Sequence, residues 1–472
     1  MTLKIRFFVI TLCLFVLAFV VNIPYLYGLN APIHDTARIF DGFHFFYSQL
    51  YFNDPGHWCT NILFRPSNAY YQLISLTPSC YMAMLIGKML HIRSALFLFN
   101  ISNLVDQFVF LIGLQLLCWR LFTHKSVIFF VCSGAILCTV WYSQLWWNFR
   151  SYYLFPMIIY LLQIFLKKQK PEFLWLSATV FCISLFGNLP SVSIVCGLIL
   201  TILFVAMLAS MPYSWKTLFS KTPLNVICFL LFGFVSIGTF SFAINATVAA
   251  PKSFSVGSGN IEAINFLRLL IIGWPVHTCW EKDLGNTVYI GLLPLLFGIY
   301  ALINSKDNIF VKCIFIIFGF WVWLSSNGVF SSALKYLLGI SIIRNQFLVY
   351  GPIKILILVS AGFGLEKAIP RIRFKHIFIS LIITIYLADH LTSSFWLMSD
   401  TMWSIAFIIR LGIYSLFVFM TFLSKIILQK DDSKMRGREF VPLEHPFLIL
   451  ALLICYITDL LIFQYMAFSS PS

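Results

Sequence analysis

The residues FFVITLCLFVLAFVV, at positions 7–21, decide the fold class of this chain. They form an apolar run that follows Lys4 and Arg6, and no small-residue cleavage site of a signal peptide comes after it. Apolar runs recur to the end of the 472 residues, and a helix of about 20 apolar residues crosses the roughly 30 Å of a bilayer core. Residues 7–21 are therefore interpreted as an uncleaved first membrane span.

The composition extends this interpretation to the whole chain. Hydrophobic residues make up 60% of it and charged residues 10%, whereas an ordinary globular domain has about 25% charged residues. We therefore expect an all-α polytopic membrane protein with about thirteen transmembrane helices, forming a single transmembrane domain over residues 1–472. Besides the first, the candidate spans are 97–119, 126–145, 151–166, 172–187, 191–210, 223–245, 286–303, 308–325, 346–366, 376–390, 403–424 and 446–466.

Lys and Arg are unequally distributed between the loops. If the apolar segment 70–91 lies in the interface instead of crossing, these residues favour one side of the membrane by two to one. Basic residues accumulate in cytoplasmic loops, so the N terminus is predicted to be cytoplasmic. Contact between the basic loops and anionic membrane lipids accounts for the net charge of +15, so no nucleic-acid partner is expected.

This topology produces two long outer loops, residues 28–96 and 246–285, with interfacial helices. Loops longer than about 12–15 residues are usually functional. The first gathers acidic, basic and histidine residues that are rare elsewhere, including His34, Asp35 and Asp41.

The second outer loop, 246–285, contains a segment with apolar residues at helical spacing, 262–272. It predicts a short amphipathic helix that lies on the membrane as a lid. His277 and Glu281 follow it and could close over an acceptor, although a passive surface loop would have the same sequence.

Several ionisable residues fall inside spans, and this topology places all of them in the outer half of the membrane. Charges inside a membrane are costly and usually face a bundle interior or a water-filled cavity, which predicts a polar cavity open to the outside. Pairing of acids with bases between helices would explain them equally well. These residues are Asp106, Lys354, Asp389, Arg410 and Asp459.

The order of short motifs along the chain resembles one family of membrane enzymes. In the first outer loop, Asp35 precedes Phe45-Phe46-Tyr47, Asn53-Asp54-Pro55-Gly56-His57-Trp58 and Arg65-Pro66-Ser67. Later come Tyr289-Ile290-Gly291-Leu292-Leu293-Pro294-Leu295-Leu296 and the stretch from Leu337 through Ile343-Arg344-Asn345 to Ala361-Gly362-Phe363-Gly364-Leu365. This layout is similar to the GT-C superfamily of membrane glycosyltransferases, particularly its bacterial YfhO-like branch.

The resemblance implies a GT-C-like fold, a location in a bacterial inner membrane, and transfer of a sugar from a polyprenyl-phosphate donor to an envelope acceptor at the outer face of that membrane. An acid in the first outer loop then serves as catalytic base or holds a divalent cation; Asp35 is the first candidate and Asp41 the second, with His34 assisting. We expect Arg344 to bind the lipid phosphate together with Lys354, because the planar guanidinium donates paired hydrogen bonds. Arg410 is a further candidate for substrate binding.

Two other classes of function compete with a transferase. A transporter or flippase of a lipid-linked or polar substrate would also need charges inside spans, but its halves should be related and no internal repeat is evident. A non-catalytic GT-C-like assembly subunit is favoured by the single acid at His34-Asp35, where the family has an acid pair. No Gly-rich phosphate loop or zinc-type cysteine pair indicates nucleotide or metal chemistry, and nothing identifies a protein partner.

Overall fold

The computed structural model describes residues 3–26, 34–52, 76–138, 152–187, 190–209, 289–304, 308–325, 350–369 and 446–469, with the single positions 227, 412 and 415. Within these residues the regular secondary structure is helical, and no strand occurs. The predicted all-α class is therefore confirmed for this part of the chain.

The helices of the described residues follow one another in this order: α1 Leu3–Leu26, α2 His34–Phe52, α3 Pro78–Met89, α4 Ala95–Leu121, α5 Lys125–Leu137, α6 Phe155–Lys168, α7 Pro171–Ser184, α8 Pro190–Ala209, α9 Leu292–Asn304, α10 Ile309–Ser325, α11 Tyr350–Ala368 and α12 Pro446–Ser469. Proline occupies the first position of several of them, where its missing N–H costs nothing.

Two helices among the described residues are long and apolar enough to cross a membrane. They are Ile5–Ile23 within α1 and the whole of α4. Shorter apolar helices of 10–17 residues lie at Lys125–Leu137, Pro171–Ser184, Cys196–Ala209, Leu293–Asn304, Ile309–Trp323 and Ile449–Leu461. The predicted number of about thirteen spans goes beyond what these helices establish.

The chain divides into two compact units. Unit 1 comprises Met1–Arg120, Trp141–Ile261 and Asn308–Ile353, and unit 2 comprises Leu121–Val140, Glu262–Asp307 and Lys354–Ser472.

In unit 1, α1 and α4 lie side by side and run in opposite directions. The ring of Phe7 meets that of Trp119 at 5.2 Å between centroids, and the Thr11 hydroxyl donates to Gln115 Oε1 at 2.8 Å. At the other end of α1, the Asn22 amide donates to Gln107 Oε1. As positions advance along α1, their partners on α4 move backward, which defines an antiparallel pair.

A second packing layer in unit 1 joins α2, α3 and the start of α4. Its core consists of Ile39, Phe43, Tyr47, Leu76, Cys80, Ala83, Met84, Ala95, Leu98 and Phe99, all buried. We call this set the α2–α3 cluster. Elsewhere in the unit, α6 and α7 form a tight hairpin at Gln169, whose left-handed backbone (φ 53°) ends α6 immediately before Pro171 starts α7.

In unit 2, α11 passes close to α9 and α5. A Cβ atom added at Gly364 would lie 1.8 Å from the carbonyl oxygen of Phe297, so the two backbones are in contact at this glycine. The next residues of α11 cap two other helices. Glu366 accepts from the Thr123 backbone N–H at 2.9 Å before α5, and the Lys367 ammonium donates to the Asn304 carbonyl at 2.9 Å at the end of α9. The negative Glu366 faces the positive N-terminal end of α5, and the positive Lys367 faces the negative C-terminal end of α9, so both charges are favourable there.

Candidate functional site

The first two predicted catalytic residues, His34 and Asp35, form the beginning of α2. Their side chains lie outside the part that the structure describes. Asp41 is on the same helix and is exposed to solvent. All three predicted residues of the first outer loop therefore belong to one helix, with Asp41 on its outward face.

The opposite face of α2 is held by aromatic contacts. Phe40 and Phe43 place their rings 5.5 and 5.4 Å from that of Phe99 on α4. Further along, the Tyr47 hydroxyl donates to the Ile92 carbonyl, and the Tyr51 hydroxyl donates to the His91 carbonyl at 3.5 Å. The end of α2 is therefore bonded to the turn between α3 and α4, while its beginning points along α4 toward Asp106.

His44 lies at the edge of this packed face, next to the ring of Phe40. Burial lowers the pKa of its imidazole, and the nearby Asp41 carboxylate partly counteracts this by raising it. The neutral imidazole is thus favoured, which suits a side chain that lies against an aromatic ring.

Asp106, which the sequence placed in the outer half of a span, is buried in unit 1. The Thr77 hydroxyl donates to its Oδ2 at 2.9 Å, just before α3 begins. Cys80 and Ser102 form a neighbouring polar contact at 3.3 Å between their Sγ and Oγ atoms. These bonds join α3 to α4, so Asp106 has a structural partner within this unit.

A second buried polar group lies in unit 2. The Tyr289 hydroxyl donates to Asp459 Oδ2 at 3.1 Å, and both residues are fully buried. Tyr456, one helical turn before Asp459 on α12, is also buried. Lys354, predicted to contact the lipid phosphate, is buried on α11 in the same unit. We call Tyr289, Lys354, Tyr456 and Asp459 the unit 2 polar group.

The sequence singled out Lys354 and Asp459 because charges stand out in an apolar helix. It marked Tyr289 only as part of a motif and did not single out Tyr456, since tyrosine is common in membrane proteins and only the tertiary structure shows that both are buried beside Asp459. It also missed the polar pairs between α1 and α4, Asn22 with Gln107 and Thr11 with Gln115, although the three amide residues interrupt apolar runs and could have been noticed.

The remaining predicted binding residues fall outside the described residues. They are His277, Glu281, Arg344 and Arg410, together with the proposed lid helix at 262–272. Within the residues that the structure does describe, no three His, Cys, Asp or Glu side chains come together to hold a metal ion. The divalent cation that the resemblance implies stays a prediction.

The fold and these polar groups define a class. The part of the chain that the structure describes is all-helical, with two helices of membrane-spanning length and with polar side chains buried inside each of the two units. Comparison with models of known families finds no match, and none of the curated proteins matches the chain.

The two tyrosines of the unit 2 polar group provide a matched pair of substitutions. Tyr289→Phe removes a donor from the buried Asp459 and should lower the free energy of unfolding by about 1–3 kcal/mol. Tyr456→Phe should be neutral or stabilising, because its buried hydroxyl has no hydrogen-bond partner among the described residues. Thermal unfolding of both variants in detergent measures the difference. Equal destabilisation by the two changes would show that the Tyr456 hydroxyl is bonded.

Proposed function

We propose that the protein is a polytopic membrane glycosyltransferase that moves a sugar from a polyprenyl-phosphate donor to an envelope acceptor at the outer face of a bacterial inner membrane. Its N terminus is cytoplasmic, and it crosses the bilayer about thirteen times. Asp35 is its catalytic base.

The exposed surface of α1 supports the membrane assignment. Large apolar side chains are exposed along the whole helix, including Phe8 at 65% and Val16 at 54%. Meanwhile Thr11 and Asn22 bond inward to α4. A helix with an apolar outside and a polar inside is arranged for hydrocarbon as its solvent, where polar side chains serve to join helices.

The antiparallel pairing of α1 and α4 supports the predicted topology. Between two antiparallel spans the chain must cross the membrane an even number of times, and zero is an even number. The 12 residues of α3 rise only about 18 Å, which is too short for the hydrocarbon core. An interfacial position for α3 accounts for both facts and keeps the loop 28–96 on one side.

The orientation of α2 is the observation that carries the catalytic proposal. Its far end is bonded to the turn at His91-Ile92, and its first turn points along α4 toward Asp106, in the outer half of the predicted span 97–119. Asp35 therefore lies at the end of α2 that is nearer to the membrane interior. The polar cavity open to the outside, which the charges inside spans predict, would bring the sugar of a lipid-linked donor to that level.

A carboxylate at this level has a defined task. The acceptor hydroxyl must lose a proton as it attacks the sugar carbon, and an aspartate within hydrogen-bond reach takes that proton. The packing of α2 against Phe99 holds its backbone in place, which preserves the orientation of a base through repeated turnovers.

The decisive experiment is a transfer assay with the purified full chain in proteoliposomes. Polyprenyl-phosphate donors with different radiolabelled sugars are supplied with envelope lipids and polymers as acceptors. We expect label to move from at least one donor to an acceptor and polyprenyl phosphate to be released in equal amount.

Two results would reject the transferase. Movement of the intact donor across the bilayer without sugar transfer would identify a flippase. Failure with every donor, in a protein that unfolds cooperatively and binds none of them, would leave the role of a non-catalytic subunit.

Arg344→Lys separates phosphate binding from simple membrane anchoring. Lysine keeps the charge but loses the planar fork, so we expect turnover or donor affinity to fall about tenfold or more. The measurement is the transfer rate against donor concentration. Unchanged kinetics in folded Arg344→Lys and Arg344→Ala proteins would remove this residue from the site.

A further inference from the structure

One face of α3 is apolar and uncovered. Met82, Leu85, Ile86, Met89 and Leu90 recur at the spacing of a single helical stripe, and all are exposed, Met89 at 78% and Leu90 at 66%. We call these five residues the α3 stripe. Exposed apolar residues so closely grouped mark a surface that binds something.

The other face of α3 is already occupied. Four of its buried residues belong to or adjoin the α2–α3 cluster: Cys80, Ala83, Met84 and Gly87. A Cβ atom added at Gly87 would lie 2.3 Å from the Leu98 side chain and 2.8 Å from the Tyr47 hydroxyl. α3 is thus fixed in place by its inner face. The stripe is presented outward by a rigid support.

Basic residues lie at the end of the stripe where α3 turns into α4. Lys88 lies in the last turn of α3, and His91 and Arg93 follow in the turn that leads to α4; all three are exposed. At the other end of α3, the Thr77 hydroxyl donates to the buried Asp106. An elongated surface that is apolar along its length and basic at its tip has the polarity of one leaflet of a lipid bilayer.

The position of α3 along α4 agrees with this polarity. Thr77 bonds to Asp106, Cys80 meets Ser102, and Gly87 lies against Leu98, so α3 runs antiparallel to α4 and its tip lies at the start of α4. Exposed apolar residues also lie along α4, at Phe97, Val105 and Ile112. Uncovered apolar side chains therefore occur on both α3 and α4.

We propose that the α3 stripe is a lipid-binding surface, immersed in the outer leaflet, with Lys88 and Arg93 holding the phosphates of anionic phospholipid headgroups. Acyl chains cover the stripe, and the cations lie at the headgroup level. This inference rests on the membrane part of the proposed function and is independent of the transferase chemistry.

Photocrosslinking in the full-length protein tests which molecule covers the stripe. Benzoylphenylalanine is incorporated at position 85 or 89, and at the exposed polar position 41 as a control. Each protein is placed in nanodiscs of equal parts phosphatidylglycerol and phosphatidylcholine, irradiated and weighed by mass spectrometry. We expect phospholipid adducts at 85 and 89 and few at 41.

Any other product at these positions overturns the proposal. A crosslinked product with twice the mass of the chain would identify a second copy of the protein as the molecule that covers the stripe. No adduct at 85 and 89 in protein that retains its thermal transition would show that lipid does not cover the stripe. Neither result depends on whether the protein transfers a sugar, so failure of this proposal is distinguishable from failure of the proposed function.

A charge-matched pair of variants tests the headgroup contact. We expect phosphatidylglycerol to be enriched about fivefold or more among the wild-type adducts, the effect of a single cation at a lipid surface. Lys88→Gln combined with Arg93→Gln should bring the adducts close to the supplied ratio. Lys167→Gln combined with Lys170→Gln removes the same charge from exposed sites at the α6–α7 turn and should leave the enrichment intact. Equal behaviour of the two double variants would overturn the phosphate contact.

Discussion

Replacing Asp35 with Asn is expected to lower the rate of sugar transfer by about 100-fold or more, which is the usual contribution of a positioned general base. The amide has nearly the same size and shape, so the helix can fold as before, but it cannot accept the proton of the acceptor hydroxyl. The loss should therefore appear in kcat, with little change in the KM for the donor. Initial rates in proteoliposomes over a range of donor concentrations measure both.

Asp41→Asn is the matched control on the same helix. Asp41 is exposed on the outward face of α2, and we expect its substitution to change the rate by less than about tenfold. The roles would be exchanged if Asp41→Asn abolished transfer and Asp35→Asn did not. Wild-type rates in both folded variants would leave neither residue as the base.

The second large effect is expected from Gly364→Ala. The added methyl group would lie 1.8 Å from the Phe297 carbonyl oxygen and 2.6 Å from the carbonyl carbon, both of them backbone atoms. Backbone atoms cannot rotate away, so α9 and α11 must separate along their contact. We expect a loss of about 3 kcal/mol or more in the free energy of unfolding, at the upper end of the overpacking range. The measurement is the thermal midpoint in detergent together with the yield of monodisperse protein.

Substitutions at two further glycines show whether the backbone contact at Gly364 causes the expected loss of stability. At Gly362 the nearest atoms belong to the Phe122 and Val131 side chains, which can move, so Gly362→Ala should cost less. Gly319 on α10 has nothing within 4 Å, and Gly319→Ala should stabilise its helix by about 0.5–1 kcal/mol. A loss at Gly364 no greater than the loss at Gly362 would contradict backbone contact at this position.

Prediction from the sequence was most successful for the type of secondary structure. The run at 7–21 lies within α1, and the predicted span 97–119 lies within α4, because a long apolar segment has few alternatives to a helix. The charges of Asp106 and Asp459 were noticed because they interrupt such segments. The roles of their partners, Thr77 and Tyr289, were not, because a hydroxyl group in an apolar stretch of sequence is too common to be a signal.

The sequence by itself determined the all-helical class, the apolar runs and the ionisable residues that needed explanation. Only the tertiary structure decided which helices touch, which direction α2 takes along α4, and that Tyr289 bonds to Asp459 across 170 residues. The physical reason is that these helices are apolar around most of their circumference. When lipid and protein interior are equally apolar, hydrophobicity does not select the buried face. Close backbone contacts such as Gly364 with Phe297, and single hydrogen bonds such as Thr77 with Asp106, select it instead, and both depend on the register between helices that are distant in sequence.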